Sequence, residues 1–257
     1  GNCLDAAEKS GSRFVVLDRV DPIGARLVEG PVYTGASSFT AYHSIPLRTG
    51  MTMGELAKMF QAERFPKANL TVVPVEGWTR GQWFDQTALP WINPSPNMRS
   101  LAEATLYPGI GLLETAVSVG RGTDTPFELV GAPYINETKF AEELNHADLP
   151  GIHFEPARFT PTASVFKGQA CGGARLVLTD HDLLRAVDVG VVIASALHRL
   201  YPNDFALEKV STLLQDGPTL EAIRKGARLA DIKALWADGL ASFQKRRENY
   251  LLYKQIR

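Results

Sequence analysis

Cysteine is nearly missing from this chain: Cys3 and Cys171 are the two occurrences in 257 residues. Thiols that far apart in sequence make neither a disulfide framework nor a four-ligand zinc site, so each reads as a buried or free thiol. Long apolar runs are missing too, which excludes a bilayer-spanning helix, and no signal-peptide pattern is read at the start. The histidines His43, His146, His153, His181 and His198 never recur at a paired spacing such as His-Glu-x-x-His, so no metal site is expected. An excess of either charge is also lacking, since 27 Lys and Arg face 28 Asp and Glu for a formal net charge of −1. A near-neutral field draws neither nucleic acid nor an anionic membrane surface, and neither is expected as a partner. Gly120-Arg121-Gly122-Thr123 lacks the Gly-Lys-Ser/Thr ending of a phosphate loop, and Gly109-Ile110-Gly111 lacks the third glycine of a dinucleotide fingerprint. No cofactor is expected.

What the chain does have is an ordinary globular composition, 45% hydrophobic and 21% charged, enough for one large or two small domains. Asn2 is expected to cap a helix over residues 4–10 that Gly11 ends, and residues 14–17 read as a strand buried on both faces. That helix-to-strand step belongs to a parallel α/β sheet. Its carboxyl edge would carry Asp18 and Arg19, where open sheets of this kind bind ligands. Thr52-Met53-Gly54-Glu55 predicts a capping box opening a second helix, with Leu56, Met59 and Phe60 inward. A strand over residues 70–75 then delivers Glu76 and Trp78. Two strands are too few for a doubly wound sheet, which holds about four to six, so residues 1–100 read as the C-terminal part of an incomplete Rossmann-like domain. Prolines at 90, 94 and 96 stop regular structure, and an α+β domain is expected over residues 101–257. In it a strand is expected over 175–179 and helices over 183–200, 208–214, 220–225 and 231 to about 250. The last turns Ile232, Leu235, Trp236, Leu240 and Phe243 inward.

The densest chemistry lies in residues 107–133, which hold five glycines, three prolines, Arg121 and the carboxylates Glu114, Asp124 and Glu128 in an otherwise apolar stretch. Apolar surroundings make an unpaired charge costly, so Arg121 and at least one carboxylate are expected to have defined partners. A purely structural Arg–carboxylate pair satisfies the same pattern. Nearby, Trp78, Trp83 and Trp91 gather with Phe84, and flat rings either stack on sugars or fill a core. Asn93, Ser95 and Asn97 offer hydrogen bonds to hydroxyl or acetamido groups, or else satisfy their own turn.

LLETAVSVGRGTDTPFELVGAP at 112–133, with VLDRVDPIG at 16–24, LRTGMTMGELA at 47–57, LPWINPSPNM at 89–98 and YLLY at 250–253, resembles the exo-β-N-acetylmuramidase (NamZ) family, long described only as a domain of unknown function. The resemblance implies a bacterial periplasmic or secreted glycoside hydrolase that removes terminal N-acetylmuramic acid from the non-reducing ends of peptidoglycan fragments. Muramyl saccharides are then the expected partners. It also implies an N-terminal segment with a Glu-His-Gly motif whose glutamate is credited with catalysis. That tripeptide does not occur here. The family's N-terminal segment is therefore expected to be absent, this chain to be inactive alone, and a separate N-terminal segment to be a further partner.

Glycosidases use one carboxylic acid to protonate the leaving oxygen and a second carboxylate to attack or to activate water. The candidates are Glu114, Asp18, Glu76 and Glu128. Glu114 leads as the catalytic residue, because it follows the apolar Leu112-Leu113. Arg121 is expected to grip the lactyl carboxylate of muramic acid with its planar fork, with Arg19 as runner-up. Asp18, Asn93, Ser95, Asn97 and Trp78 complete the expected substrate-binding set. A non-catalytic protein that binds muramyl sugars fits the same residues, as does a structural piece that completes another chain.

Overall fold

Side-chain caps at Thr52, Ser100, Asn136 and Asp216 start four of the helices, and the chain divides into two contact units. The computed structural model describes residues 1–254. Unit 1 takes residues 1–28, 32–90 and 238–257, and unit 2 takes residues 29–31 and 91–237.

In unit 1, α1 (Asn2–Ser10) ends at Gly11, whose φ of +69° returns its N–H to the carbonyls of the last turn. Its N-cap is Gly1 rather than the expected Asn2. After it come β1 (Arg13–Leu17), β2 (Glu29–Val32), of which residues 29–31 belong to unit 2, β3 (Pro46–Arg48), α2 (Met53–Arg64) and β4 (Asn69–Val73). β1 and β4 pair in parallel, from Arg13 opposite Asn69 to Leu17 opposite Val73. The predicted capping box starts α2: Thr52 Oγ1 accepts the Glu55 N–H at 3.3 Å and the Glu55 carboxylate accepts the Thr52 N–H at 3.0 Å.

β1 is not buried on both faces. Phe14 and Val16 pack with Leu4, Ala57, Phe65 and Ala68, whereas Val15, Val73 and the 72% exposed Leu17 stay open to solvent. A parallel sheet is ordinarily covered on both sides, and among the described residues this one is covered on one. Two further clusters hold unit 1. Phe243 joins Met51 and Met59, and Tyr253 joins Ala25 and Trp78. These contacts draw residues 238–257 into unit 1, so the contact division differs from the 1–100 and 101–257 boundary expected from the sequence.

Unit 2 opens its main run with α3 (Leu101–Ile110), capped by Ser100 and Glu103 in a second capping box. The sequence reading placed no helix there, because Tyr107-Pro108-Gly109 looks like a turn. Pro108 instead sits in the last helical turns. The unit continues with β5 (Leu129–Ala132), α4 (Glu137–Asn145), β6 (Ile152–Phe159), β7 (Cys171–Leu178), α5 (Ala186–Leu200), α6 (Ser211–Leu214), α7 (Gly217–Arg224) and α8 (Leu229–Arg247), of which residues 238–247 belong to unit 1. β5, β7 and β6 form an antiparallel sheet in that order. The Asn145 side chain bonds both the N–H and the C=O of Phe154, at 2.9 and 2.8 Å, and so fixes α4 to β6. α5 lacks a side-chain cap of its own, and the buried Glu29 accepts the Val187 N–H at 3.2 Å in its place. On α8, Leu235 is exposed rather than inward. The fold is thus mixed α/β, with a parallel strand pair in unit 1 and an α+β arrangement in unit 2. Among the described residues no helix is long and apolar enough to cross a membrane.

Candidate functional site

Two of the expected residues meet in unit 2. A single 3₁₀ turn, Gly111–Leu113, follows α3, and Glu114 is its C-terminal cap. The chain then bridges to β5, with Ser118 and Gly131 exchanging backbone bonds at 3.0 and 2.9 Å. Gly120 and Gly122, at φ of +74° and +80°, reverse its direction through angles that side chains rarely allow. Arg121, between them, is thereby turned back onto Glu114. Its Nη2 and Nε both donate to Glu114 Oε2, at 2.5 and 3.2 Å, and the two side chains are 25% and 22% exposed. Among the described residues, Glu114 Oε1 and Arg121 Nη1 make no hydrogen bond.

The pair rests on an aromatic base. The Arg121 guanidinium lies 5.1 Å from the centroid of Phe127, and Tyr107 meets that ring edge-on at 4.9 Å. Phe127 is 1% exposed and has φ of +66°, an unusual angle for a bulky residue, held by its N–H on the Val119 carbonyl at 2.7 Å. Burial pushes the Tyr107 hydroxyl above its ordinary value; Glu114 pushes it the same way and Arg121 opposes. Such a surface offers a free carboxylate oxygen and a free guanidinium edge, with the Tyr107 hydroxyl subject to both charges. A structural ion pair, the other sequence reading, has this geometry as well. Glu128 stands apart from the pair's hydrogen bonds; burial and then Glu103 raise its carboxyl, against Arg175.

In unit 1, Asp18 does lie at the carboxyl end of β1, but it is already engaged. Its oxygens accept the N–H of Arg19 and Gly54, at 2.9 and 2.7 Å, and the hydroxyls of Thr52 and Tyr253, at 2.7 and 2.5 Å. Tyr253 also accepts the Val75 N–H at 3.0 Å, so it ties both strand ends together. Trp78 stands against the same tyrosine, edge-on at 4.9 Å and 6% exposed. Its ring faces serve the core rather than a sugar. Trp83 is buried too, and Trp91, in unit 2, donates to the Met98 carbonyl at 3.3 Å. Arg19 is exposed, with its side chain making no ion pair among the described residues, and Glu76 is exposed likewise. Asn93, Ser95 and Asn97 lie on a turn closed by the backbone, Met98 N–H to Ser95 carbonyl at 2.9 Å, and their side chains make no hydrogen bond among the described residues.

Sequence reasoning missed Tyr107, Phe127 and Tyr253, and a buried charged group in unit 1. There Arg80 pairs with Glu55 at 2.5 Å, both fully buried, and Arg247 donates to the Thr49 and Gly50 carbonyls at 3.0 and 2.9 Å. Burial lowers Arg247 to about 10, helped by Arg80, and burial raises the neighbouring Asp21 carboxyl to about 6 against the pull of Arg48. Asp180, His181 and Asp182 bring ligand-type atoms within 4.8 Å of one another. Asp180 Oδ1, however, already accepts the backbone N–H of Asp182 and Leu183 at 2.9 and 3.2 Å, which makes the group a turn.

The N-terminal model of the exo-beta-N-acetylmuramidase NamZ family matches residues 1–102, and its C-terminal model matches residues 105–253. The expectation that the family's N-terminal segment is absent is therefore corrected, while the Glu-His-Gly tripeptide still does not occur in the sequence. A curated protein of Bacillus subtilis (strain 168), peptidoglycan beta-N-acetylmuramidase NamZ, is 41% identical over 255 residues, covering 97% of this chain. The chain spans 62% of that relative's length. Two crystal structures of DUF1343 family proteins from Bacteroides fragilis NCTC 9343 superpose with TM-scores of 0.88 and 0.75, at 30% and 28% identity. Each covers 98% of this chain, which covers 69% of each. With both family models matched along nearly the whole sequence, and the Glu114 to Phe127 loop lying inside the second, the chain belongs to the exo-β-N-acetylmuramidase NamZ family.

Proposed function

We propose that this chain acts as an exo-β-N-acetylmuramidase, a glycoside hydrolase that releases terminal N-acetylmuramic acid from the non-reducing ends of peptidoglycan fragments. The observation that carries the reading is the 41% identity to a curated peptidoglycan beta-N-acetylmuramidase. Hydrolysis breaks the bond from the anomeric carbon to the bridging oxygen, adds water at carbon and delivers a proton to the departing oxygen. Glu114, with Oε1 open, is the residue of unit 2 proposed to face the sugar, and Arg121 is proposed to bind the lactyl carboxylate through its free edge. Arg19, exposed at the end of β1, is the second candidate for that carboxylate. Asn93, Ser95 and Asn97 have unspent donors and acceptors suited to the acetamido group.

A second reading, a muramyl-sugar-binding protein without turnover, is favoured by one feature: Glu114 Oε2 is already taken by Arg121. Peptidoglycan as substrate points to a periplasmic or secreted setting. The bare apolar face of the β1–β4 pair supports a covering partner for unit 1, whether a separate segment of the same protein or a second copy. The test is an aryl β-N-acetylmuraminide set beside the matching aryl β-N-acetylglucosaminide. Release of the aryl group from the muraminide, with little from the glucosaminide, is expected. Equal release from both removes the muramic-acid specificity, and no release from either leaves only the binding reading.

A further inference from the structure

The Tyr107 side chain enters no hydrogen bond among the described residues, yet its ring has a fixed place. It projects from the last turns of α3 and is 42% exposed. One edge packs on Phe127, and Gly111 lies so close that a Cβ there would stand 3.0 Å from the Tyr107 ring. The ring therefore leans on two neighbours and leaves the rest of its surface to solvent. Phe127 is the shared base for Tyr107 and Arg121, which puts the tyrosine beside the Glu114–Arg121 pair; both charges act on its hydroxyl. Thr115, the nearest hydroxyl in sequence, is spent on the Lys209 carbonyl at 2.7 Å.

The chemistry that fits this surface is narrow. Glu114 and Arg121 cancel each other's charge, so a free ion gains little there beyond what water gives it. A pyranose with hydroxyls that both donate and accept can use Glu114 Oε1 and the Tyr107 hydroxyl together, while its apolar C–H face lies on an aromatic ring and a carboxylate carried on it meets Arg121 Nη1. We propose that Tyr107 is a sugar-contacting residue of this surface, its ring carrying the face of a pyranose and its hydroxyl bonding a ring substituent beside the Glu114–Arg121 pair. A pinned ring loses little side-chain freedom on binding, which favours this role over that of a mobile surface tyrosine. The inference rests on the muramidase reading for the identity of the sugar, not for the fact of binding.

The experiment titrates the whole chain with N-acetylmuramic acid and N-acetylglucosamine, followed by NMR, for the parent, Tyr107→Phe and Tyr107→Leu, alongside turnover of the aryl muraminide. Tyr107→Phe keeps the ring and its packing, so its melting midpoint should match the parent while sugar affinity falls about three- to tenfold, the worth of one hydrogen bond. Its KM should rise by a similar factor with kcat within about twofold. Tyr107→Leu should lose saturable binding. A parent that binds neither pyranose, or a Tyr107→Phe protein that binds as the parent does, overturns the proposal. Sugar binding that depends on Tyr107 without any turnover removes the hydrolase reading alone, and turnover indifferent to Tyr107→Phe removes Tyr107 alone.

Discussion

Asp18 stands where open α/β sheets take ligands, yet four hydrogen bonds already reach its carboxylate. Sequence shows that such a residue sits at a strand end, but the hydroxyl of Tyr253 that consumes it lies 235 positions away. Glu114 and Arg121 were legible for the opposite reason: they stand seven positions apart and glycines flank Arg121, so local chain reversal alone can join them. If Arg121 binds a lactyl carboxylate, Arg121→Lys should reduce the preference for N-acetylmuramic acid over N-acetylglucosamine by about tenfold, because an ammonium cannot reproduce the planar fork. Calorimetric titration with both sugars checks this, and an unchanged preference makes Arg121 a structural residue. Asp21 yields a separate test. Its folded value of about 6 against an ordinary 3.8 means the native state keeps a proton that the unfolded chain releases, so its contribution to stability falls as pH rises from about 4 to about 6 and is flat above. The charges facing it are Arg48, Arg80 and Glu55. Asp21→Asn should therefore gain stability relative to the parent at pH 7, on the order of 1–2 kcal/mol, and gain nothing at pH 4. Thermal melts at the two pH values decide it; a difference that ignores pH contradicts the assignment.

Helix starts written in neighbouring residues were readable, as Thr52-Met53-Gly54-Glu55 shows for α2. α5 was readable too, since its apolar residues keep helical spacing and are buried at Ala186, Val189, Ile193, Ala194 and Leu197. α3 was not, because Tyr107-Pro108-Gly109 carries the residues of a turn while the packing against α5 demands them in a helix. A Cβ on Gly109 would lie 1.7 Å from the Ala186 carbonyl oxygen, and one on Gly190 would lie 2.4 Å from the Gly109 carbonyl oxygen. The two glycines thus let the helix backbones touch. Gly109→Ala should push α3 and α5 apart and cost about 1–3 kcal/mol, more than helix propensity returns. Urea unfolding measures it, and a variant as stable as the parent shows that this contact is looser than described. The same displacement should disturb Tyr107, two residues earlier on α3.

For the molecule as a whole, the parallel pair in unit 1 is the point of tension. Val15, Leu17 and Val73 expose an apolar strand face that such sheets normally bury, and an uncovered strand face invites association. The chain at micromolar concentration should self-associate, and Leu17→Lys should shift it toward the monomer in light scattering coupled to size-exclusion chromatography. A parent that stays monomeric would show that the face is tolerated in water. The order of the long motifs, from residues 16–24 to 250–253, carries the family resemblance in sequence alone. Which residues share a contact unit was less visible, because Phe243 and Tyr253 join unit 1 through packing that no local pattern encodes. The most direct test of the account is the release of free N-acetylmuramic acid from the disaccharide N-acetylmuramyl-β-1,4-N-acetylglucosamine, followed by mass spectrometry, for this chain and its Glu114→Gln variant. The account predicts release by the parent and a loss of about a hundredfold or more in the variant, with the fold intact. Disaccharide left whole by the parent, or equal release by both proteins, would contradict it.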